Sequence, residues 1–290
     1  MAICTAQAPL ADFSGFQQNN AQVEAFSFGN PGLSEESANT FTIGAVLTPN
    51  LGLGRFSATV DYYNIDIKDL IIALGAQTFL NRCAASGDPN SDECLRIERD
   101  PSTGQVERID TTVSNEGRLK TAGVDVGLNF AVPFSDIGLG IGGRLRVQEL
   151  LSWLDKWEFS GTEFAGTTGG GIGGTLPEWK STLTVAYDSD DFTVQGRWNW
   201  QSDVIDTWGG TCPDGSCVLD SKTPGLSYFD LSMRKSIGNN FELTGIVQNL
   251  FNQKAKKTLS GFFAEGGVDV AYWNPVILGR TFTVQGKVKF

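Results

Sequence analysis

The chain alternates apolar and polar side chains over short segments, and its C-terminal segment shows the pattern most clearly. One face of this segment carries Phe282, Val284, Gly286, Val288 and Phe290. The other face carries Thr281, Thr283, Gln285, Lys287 and Lys289. Successive side chains of a β-strand point to opposite faces, so the segment predicts a strand with one apolar face and one polar face.

Similar alternation recurs along the rest of the chain. With a weaker segment near Val23 to Phe28, it predicts about ten strands, and no segment has a convincing helical period. The other predicted strands centre on residues 41–47, 56–62, 122–130, 139–147, 179–187, 192–200, 229–233, 241–247 and 282–290.

The connections between these segments alternate between short and long. The short ones, rich in Pro, Asn, Asp and Gly, lie at 48–52, 133–136, 188–191 and 236–240. The long polar ones lie at 69–115, 156–178, 206–225 and 252–278. Short turns at one end and long loops at the other are typical of an outer-membrane barrel. The sequence therefore predicts an all-β fold, an antiparallel up-and-down transmembrane β-barrel.

The amino-acid composition argues against several classes of function. The 290 residues include 33 acidic and 22 basic side chains, and a net charge of −11 argues against a nucleic-acid partner. The chain has no histidine, which excludes Ser-His-Asp and Cys-His catalysis and any histidine-ligated metal site. The sequence predicts neither an enzyme nor a bound cofactor.

Two short motifs lack the sequence context that their chemistry requires. Gly138–Gly143 matches the glycine spacing of a dinucleotide-binding turn, but it falls inside a predicted strand with no helix after it. Asp88–Glu93 begins like a calcium-binding loop, but Glu93 replaces the required glycine and Arg99 replaces the final glutamate. No apolar run approaches the roughly 18 residues of a membrane helix.

The five cysteines favour an oxidising compartment. Cys83 and Cys94 bracket one polar loop, and Cys212 and Cys217 bracket another, while Cys4 is left over. Local pairing predicts two loop disulfides, and the alternative is a set of free loop thiols.

The N-terminus does not look like a secretion signal, because it lacks a basic region followed by an apolar stretch. An outer-membrane protein needs such a signal. The membrane interpretation therefore implies that Met1 is not the natural start. We divide the chain into a poorly defined N-terminal segment, residues 1–20, and a barrel portion, residues 21–290.

Several motifs, in this order and spacing, resemble TonB-dependent outer-membrane receptors over about residue 20 to Phe290. A strand motif lies at Val60–Ile71, and Asn30–Leu33 with Glu35 and Glu36 resembles the loop before a late barrel strand. The remaining motifs are Cys83–Pro89 with Cys94, Arg99–Val106, Asn115–Asp125 and the penultimate-strand motif Val247–Asn252.

The resemblance implies an active transporter in the outer membrane of a Gram-negative bacterium. Such receptors have a barrel of about 22 strands filled by an N-terminal plug. They import a scarce extracellular ligand, such as a siderophore or an oligosaccharide, with energy passed through TonB. The chain corresponds to the C-terminal part of that barrel, so contact with TonB depends on the missing plug. Membrane lipid and the barrel-assembly machinery are further implied partners.

Seven residues are candidates for contacts with a ligand. Arg144, Arg146, Arg197 and Arg234 fall on the predicted inner face, where they form a basic wall toward an anionic ligand or the plug. The alternative is internal pairing with Asp125, Asp230 and Glu242. The loop tryptophans Trp157, Trp208 and Trp273 are candidate aromatic contacts for a sugar or a siderophore.

The last strand is also a candidate assembly signal, through Phe282, Val284, Gly286, Val288 and the terminal Phe290. Gly286 lies one place later than the usual glycine, and Val288 stands where an aromatic residue is common. Two other functions stay open at this point. One is a small self-contained passive pore, and the other is a soluble β-rich binding protein whose apolar faces pair across two sheets.

Overall fold

The computed structural model describes residues 2–9, 11–19, 22–168, 174–205, 222–256 and 270–289. The strands are β1 (Glu24–Phe26), β2 (Ser37–Leu47), β3 (Arg55–Ile72), β4 (Ile97–Arg99), β5 (Val106–Asp110), β6 (Ser114–Pro133), β7 (Arg144–Phe159), β8 (Thr162–Glu163), β9 (Trp179–Asp188), β10 (Phe192–Gln201), β11 (Val204–Ile205), β12 (Lys222–Thr223), β13 (Leu226–Ile237), β14 (Phe241–Gln248) and β15 (Thr281–Val288). The helices are α1 (Ala2–Gln7), α2 (Ala76–Ser86), α3 (Asp92–Leu95), a 3₁₀ turn (Phe134–Ile137) and α4 (Val270–Ile277).

The chain forms two compact units. The smaller comprises Met1–Ala38 and Ile67–Arg118, and the larger comprises Asn39–Asp66 and Leu119–Phe290. None of the described helices is both long and apolar enough to cross a bilayer.

One sheet dominates the structure, in the order β15-β14-β13-β10-β9-β7-β6-β3-β2, with β8 added to β7. Each long strand lies beside the next long strand in the chain, and the pairings from β6 to β15 are antiparallel. This confirms the predicted up-and-down antiparallel fold. The sheet is open in the described residues, where β2 and β15 are its two edges.

The short connections all lie at one end of this sheet, because they follow every second strand. They join β2 to β3, β6 to β7, β9 to β10, and β13 to β14. One prediction was wrong here. Gly138–Gly143 lies in the turn before β7, not in a strand, and the positive φ of Gly138 (75°) and Gly143 (100°) interrupts extended structure there.

The register separates an apolar face from a polar face across the larger unit. Val194 of β10, for example, lies between Tyr187 of β9 and Met233 of β13. This face is open to its surroundings, since Phe282 is 70% and Val284 77% exposed. A soluble sandwich would cover such a face with a second sheet, whereas lipid covers it in a membrane barrel.

Aromatic rings border this apolar face at both ends. At the short-turn end, Tyr187 stacks on Phe134 at 5.5 Å between ring centroids and meets Phe192 at 6.4 Å. At the long-loop end, Trp153 and Trp179 stack at 5.8 Å. Trp179 and Tyr187 are separated by roughly 26 Å of strand at about 3.3 Å per residue. With strand tilt this matches an apolar band about 25 Å tall between two aromatic girdles.

The smaller unit shows that the connection predicted as a polar loop at 69–115 is folded. It contains α2, α3 and a three-stranded sheet in the order β1-β5-β4. The Cys83–Cys94 disulfide joins α2 to α3 with a Cα–Cα distance of 4.7 Å, and it sits in a core with Phe79, Ile97 and Ile109. In α2, Phe79 and Cys83 are buried, and Ala76 and Leu80 pack against the same core, so the helix carries an apolar stripe that the predicted polar loop did not include. Cys212 and Cys217 lie outside the described residues.

The weak segment near Val23 to Phe28 was expected among the barrel strands. Its strand β1 instead pairs in parallel with β5, in the small sheet. The edge of the main sheet is therefore β2, and the nine strands of the main path come from the other predicted segments.

The connection between β14 and β15 begins with a tight turn that explains the motif at Val247–Asn252. Asn249 has a φ of 51° and is 1% exposed. Its Nδ2 donates to the Gln253 carbonyl at 2.9 Å, and its Oδ1 accepts from the Gln253 amide at 2.7 Å. Its own amide donates to the Asp230 carboxylate at 2.8 Å. Asn suits this position because it tolerates the left-handed conformation and satisfies the turn with its side chain.

We expect Asn249→Ala to destabilise the protein by about 2–3 kcal/mol, since it removes two buried hydrogen bonds and places a Cβ-bearing apolar residue at positive φ. Asn249→Gly loses the same bonds without the backbone strain and is expected to cost about 1 kcal/mol less. Thermal unfolding of each purified variant in detergent measures its loss of stability relative to the native protein. Equal melting temperatures for the two variants would contradict the strain argument.

The assignment of faces predicts opposite effects for two neighbouring positions on β9. Val185→Lys places a charge on the apolar face and is expected to cost about 2–4 kcal/mol in a bilayer. Thr184→Lys places the same charge on the polar face and should be tolerated. The measurement is the yield of folded, heat-modifiable protein in the outer membrane. Equal yields from the two variants would refute the assignment.

In the smaller unit, a turn between β4 and β5 depends on the ionised form of Asp100. Its Oδ1 accepts hydrogen bonds from the amides and hydroxyls of Ser102 and Thr103, at 2.6–2.9 Å. These bonds, the Ser102 hydroxyl first, lower the pKa of Asp100 from 3.8 to about 2.

Because the folded pKa lies below the unfolded one, the contribution of Asp100 to stability is present above about pH 4 and is lost as the pH falls toward 2. We expect an NMR titration of the Asp100 carboxyl to show this low midpoint. Ser102→Ala should shift the midpoint upward, and an unchanged midpoint would show that the hydroxyl is not the main cause.

Candidate functional site

The polar face of the main sheet carries the four arginines predicted for the barrel interior. Across the strand pairs, Arg144 faces Asp188, and Asp188 faces Thr193, which in turn faces Arg234. Arg146 and Arg197 lie on the same side of their strands by the period of two. The structure thus places all four guanidinium-bearing residues on the face opposite the aromatic girdles, which we call the inner face.

Two of these arginines contact one carboxylate at the short-turn end, and a third is linked to it through Thr193. Asp188 Oδ2 lies 3.2 Å from Nε of Arg146 and 3.5 Å from Nε of Arg144. The Thr193 hydroxyl donates to Asp188 Oδ1 at 3.1 Å. Nη2 of Arg234 donates to the Thr193 hydroxyl oxygen at 3.1 Å. A single cross-strand row therefore links β7, β9, β10 and β13.

The charges in this row are unequal in number and in exposure. The side chain of Asp188 is 12% exposed, whereas those of Arg144 and Arg146 are 61% and 46% exposed. Oδ2 of Asp188 has ion-pair contacts but no hydrogen bond of good geometry. Exposed ion pairs of this kind contribute about 0–1 kcal/mol each. The arrangement therefore orients the two guanidinium groups and leaves most of their donors free for another acceptor.

The fourth arginine lies apart from this row. Arg197 borders a cavity of about 280 Å³ with Gln195 and Asp230. The Asp230 carboxylate is already engaged, because it accepts from Asn199 Nδ2 at 3.1 Å and from the Asn249 amide at 2.8 Å. Within the described residues, Arg197 has no ion pair inside 4 Å.

The expected internal partners of the arginines were therefore not the ones found. In the described part of the chain, Asp125, Asp230 and Glu242 form no ion pair with them, and Asp188 does so instead. Sequence reasoning treated Asp188 as a turn residue. Even numbers of positions separate it from Lys180, Thr182 and Thr184 on β9. This spacing places all four side chains on the same face of the strand, the inner face.

The candidate tryptophans differ in their surroundings. Trp273 in α4 is completely buried, with Tyr272, Val276, Val204 and Leu226. The expectation of a loop tryptophan open to a ligand is therefore wrong for Trp273 in this structure, since its ring stabilises the connection before β15. The long connection at 252–278 was predicted to be a polar loop, and the apolar side of α4 was missed.

Trp157 occupies a different setting, in β7 near the long loops. It is half-buried and faces Thr121 across the pair with β6. Its indole N–H is buried without a hydrogen-bond partner. Trp208 lies outside the described residues.

The C-terminal strand places the candidate assembly residues on the apolar face. Phe282, Val284, Gly286 and Val288 face Val247, Gly245, Leu243 and Phe241 of β14. Phe290 lies outside the described residues. Among the residues that the structure describes, no group of three or more His, Cys, Asp or Glu side chains is arranged to hold a metal ion.

The chain resembles solved structures in architecture. The ferric enterobactin receptor of Pseudomonas aeruginosa, solved with enterobactin, matches with a TM-score of 0.58 at 16% identity, over 92% of this chain and 33% of the receptor. The siderophore receptor PirA of Acinetobacter baumannii matches with a TM-score of 0.53 at 13% identity, over 88% and 32%. The FrpB iron transporter of Neisseria meningitidis matches with a TM-score of 0.51 at 15% identity, over 90% and 32%.

The chain thus spans about a third of the length of these solved structures. No curated protein matches its sequence significantly. The model of the family described as TonB dependent receptor-like, beta-barrel, matches residues 6–250. Members of this family are receptors and transporters of the Gram-negative outer membrane. With its lipid-compatible outer face, polar inner face and segregated loops, the chain belongs to the TonB-dependent receptor β-barrel family.

Proposed function

We propose that this protein is an active-transport receptor, which captures a scarce extracellular ligand and imports it with energy supplied through TonB. The observation that carries the proposal is the family match over residues 6–250, on a sheet with one lipid-compatible face and one polar face. The receptor moves its ligand without changing it covalently.

We further propose that the chain is the C-terminal part of a barrel of about 22 strands. The open edges at β2 and β15 support this, because unpaired backbone groups cannot remain in hydrocarbon. The contact with TonB then belongs to a plug domain that this chain does not include. The barrel-assembly machinery, acting on the β15 segment, and outer-membrane lipid are the other proposed partners.

The proposed ligand is a metal–siderophore complex or an oligosaccharide. The solved neighbours include receptors for siderophores and a copper transporter, which supports the first. Exposed arginines on the inner face suit an anionic ligand. The folded connection with the Cys83–Cys94 disulfide and the loops around Trp157 provide polar and aromatic surfaces for either class.

We expect deletion of the encoding gene to abolish uptake of one ligand class and to leave the other unchanged. Uptake of radioactive iron bound to a panel of siderophores, and of labelled oligosaccharides, separates the two classes. Deletion of TonB should reproduce the loss. Uptake that continues without TonB would identify a passive pore, and recovery of the protein in the soluble fraction would identify a soluble binding protein.

A further inference from the structure

A groove opens on the inner face at the short-turn end of the sheet. It consists of two adjoining cavities of about 570 and 510 Å³. Both are lined by Asn50, Gly54, Arg55 and Ala131, so they form one continuous depression between the β2–β3 turn and β6. Cavities of this size hold small molecules rather than polypeptide domains.

Three guanidinium groups line this groove. Arg55, at the start of β3, borders both cavities. Arg144 borders the first and Arg146 borders the second. The sequence analysis did not single out Arg55, although it shares the parity of Ser57, Thr59 and Asp61 on the polar side of β3.

The positive charge in the groove exceeds the negative charge paired with it. Asp188 is the one carboxylate within ion-pair distance of these arginines in the described residues, and it serves both Arg144 and Arg146. Arg55 has no carboxylate within that distance there. Asp136 also borders the first cavity, so three guanidinium groups face two carboxylates and the groove keeps a net positive charge.

The floor of the groove is kept open by a glycine. Gly54 has a φ of 62°, and a Cβ at this position would lie 2.4 Å from the Ala131 carbonyl oxygen. The close approach of the two backbones leaves no space for a side chain at this position, so glycine is required where the groove meets β6.

We propose that this groove binds a small polyanion through its carboxylate or phosphate groups. The planar fork of a guanidinium matches both groups with two parallel hydrogen bonds. Asp188 shares its single charge between two arginines, so it positions them without satisfying their five donors each. An anion in the groove completes the coordination of Arg144 and Arg146 and neutralises Arg55.

The groove lies at the end of the sheet where barrels of this family carry their periplasmic turns. If the proposed transport function holds, the groove lies on the exit side of the barrel, at the opposite end from the long loops. Anion binding itself does not depend on transport, because it follows from the charges and the cavity alone.

The test is calorimetric titration of the natural-length protein, in detergent and at low ionic strength, with pyrophosphate and with citrate. We expect binding of at least one probe, and the tighter one identifies phosphate or carboxylate as the preferred group. Arg55→Gln and Arg146→Gln should each weaken binding about tenfold. Arg108→Gln removes an exposed arginine that pairs with Glu98 and does not line the groove, so it should leave affinity unchanged.

A second variant is expected to change the affinity for the anion in the opposite direction. Asp188→Asn removes the internal competitor while it keeps the side-chain shape, and it should tighten binding of the same probe. Binding that is absent in the native protein, or equally weakened by Arg108→Gln, overturns the proposal. So does weaker binding in Asp188→Asn when its circular dichroism matches that of the native protein. If the groove binds the anion but the protein takes up no ligand, the transport function is contradicted and the anion site is not.

Discussion

Satisfaction of backbone hydrogen bonds is the constraint on which the structure depends. A strand in hydrocarbon has no water to bond its N–H and C=O groups, so each must find a partner on a neighbouring strand. Consecutive antiparallel pairing from β2 to β15 meets this requirement everywhere except at the two edges. The same pairing fixes which side chains face outward. One shift of register on β9 would turn Val185 inward and Thr184 toward lipid, so the backbone ladder and the distribution of polarity specify each other.

The outer face carries a hydrogen-bonded polar pair among its apolar side chains. Ser181, although surrounded by apolar neighbours, donates its hydroxyl hydrogen to the Glu149 carboxylate at 2.5 Å. Glu149 faces Leu128 on β6 and Leu183 on β9, so it lies within the apolar face. Burial of Ser181 to 8% exposure and its hydrogen bond reduce the cost of placing these groups beside lipid.

The period of two was sufficient to predict the main strands because lipid and lumen impose opposite polarity on alternate residues. It was not sufficient for the connections. The apolar stripe of α2 is only two turns long and lies within a polar stretch, and Trp273 gives no sign in the sequence that it is buried in α4. These segments fold around local cores and a disulfide, which depend on contacts distant in sequence. The partner of the arginines was missed for a related reason, since Asp188 ends a strand and looks like a turn residue.

On the inner face, two arginines compete for one carboxylate, and this competition describes the face better than the number of arginines does. A carboxylate that lies between two guanidinium groups cannot neutralise both, and its low exposure holds it in place. Thr193 connects it to Arg234, so any anion that engages Arg146 also acts on a hydrogen-bonded row across four strands. These strands are hydrogen-bonded to their neighbours, which fixes the spacing of the donors along the row. A preorganised set of donors of this kind favours recognition of charge geometry over flexible, nonspecific attraction.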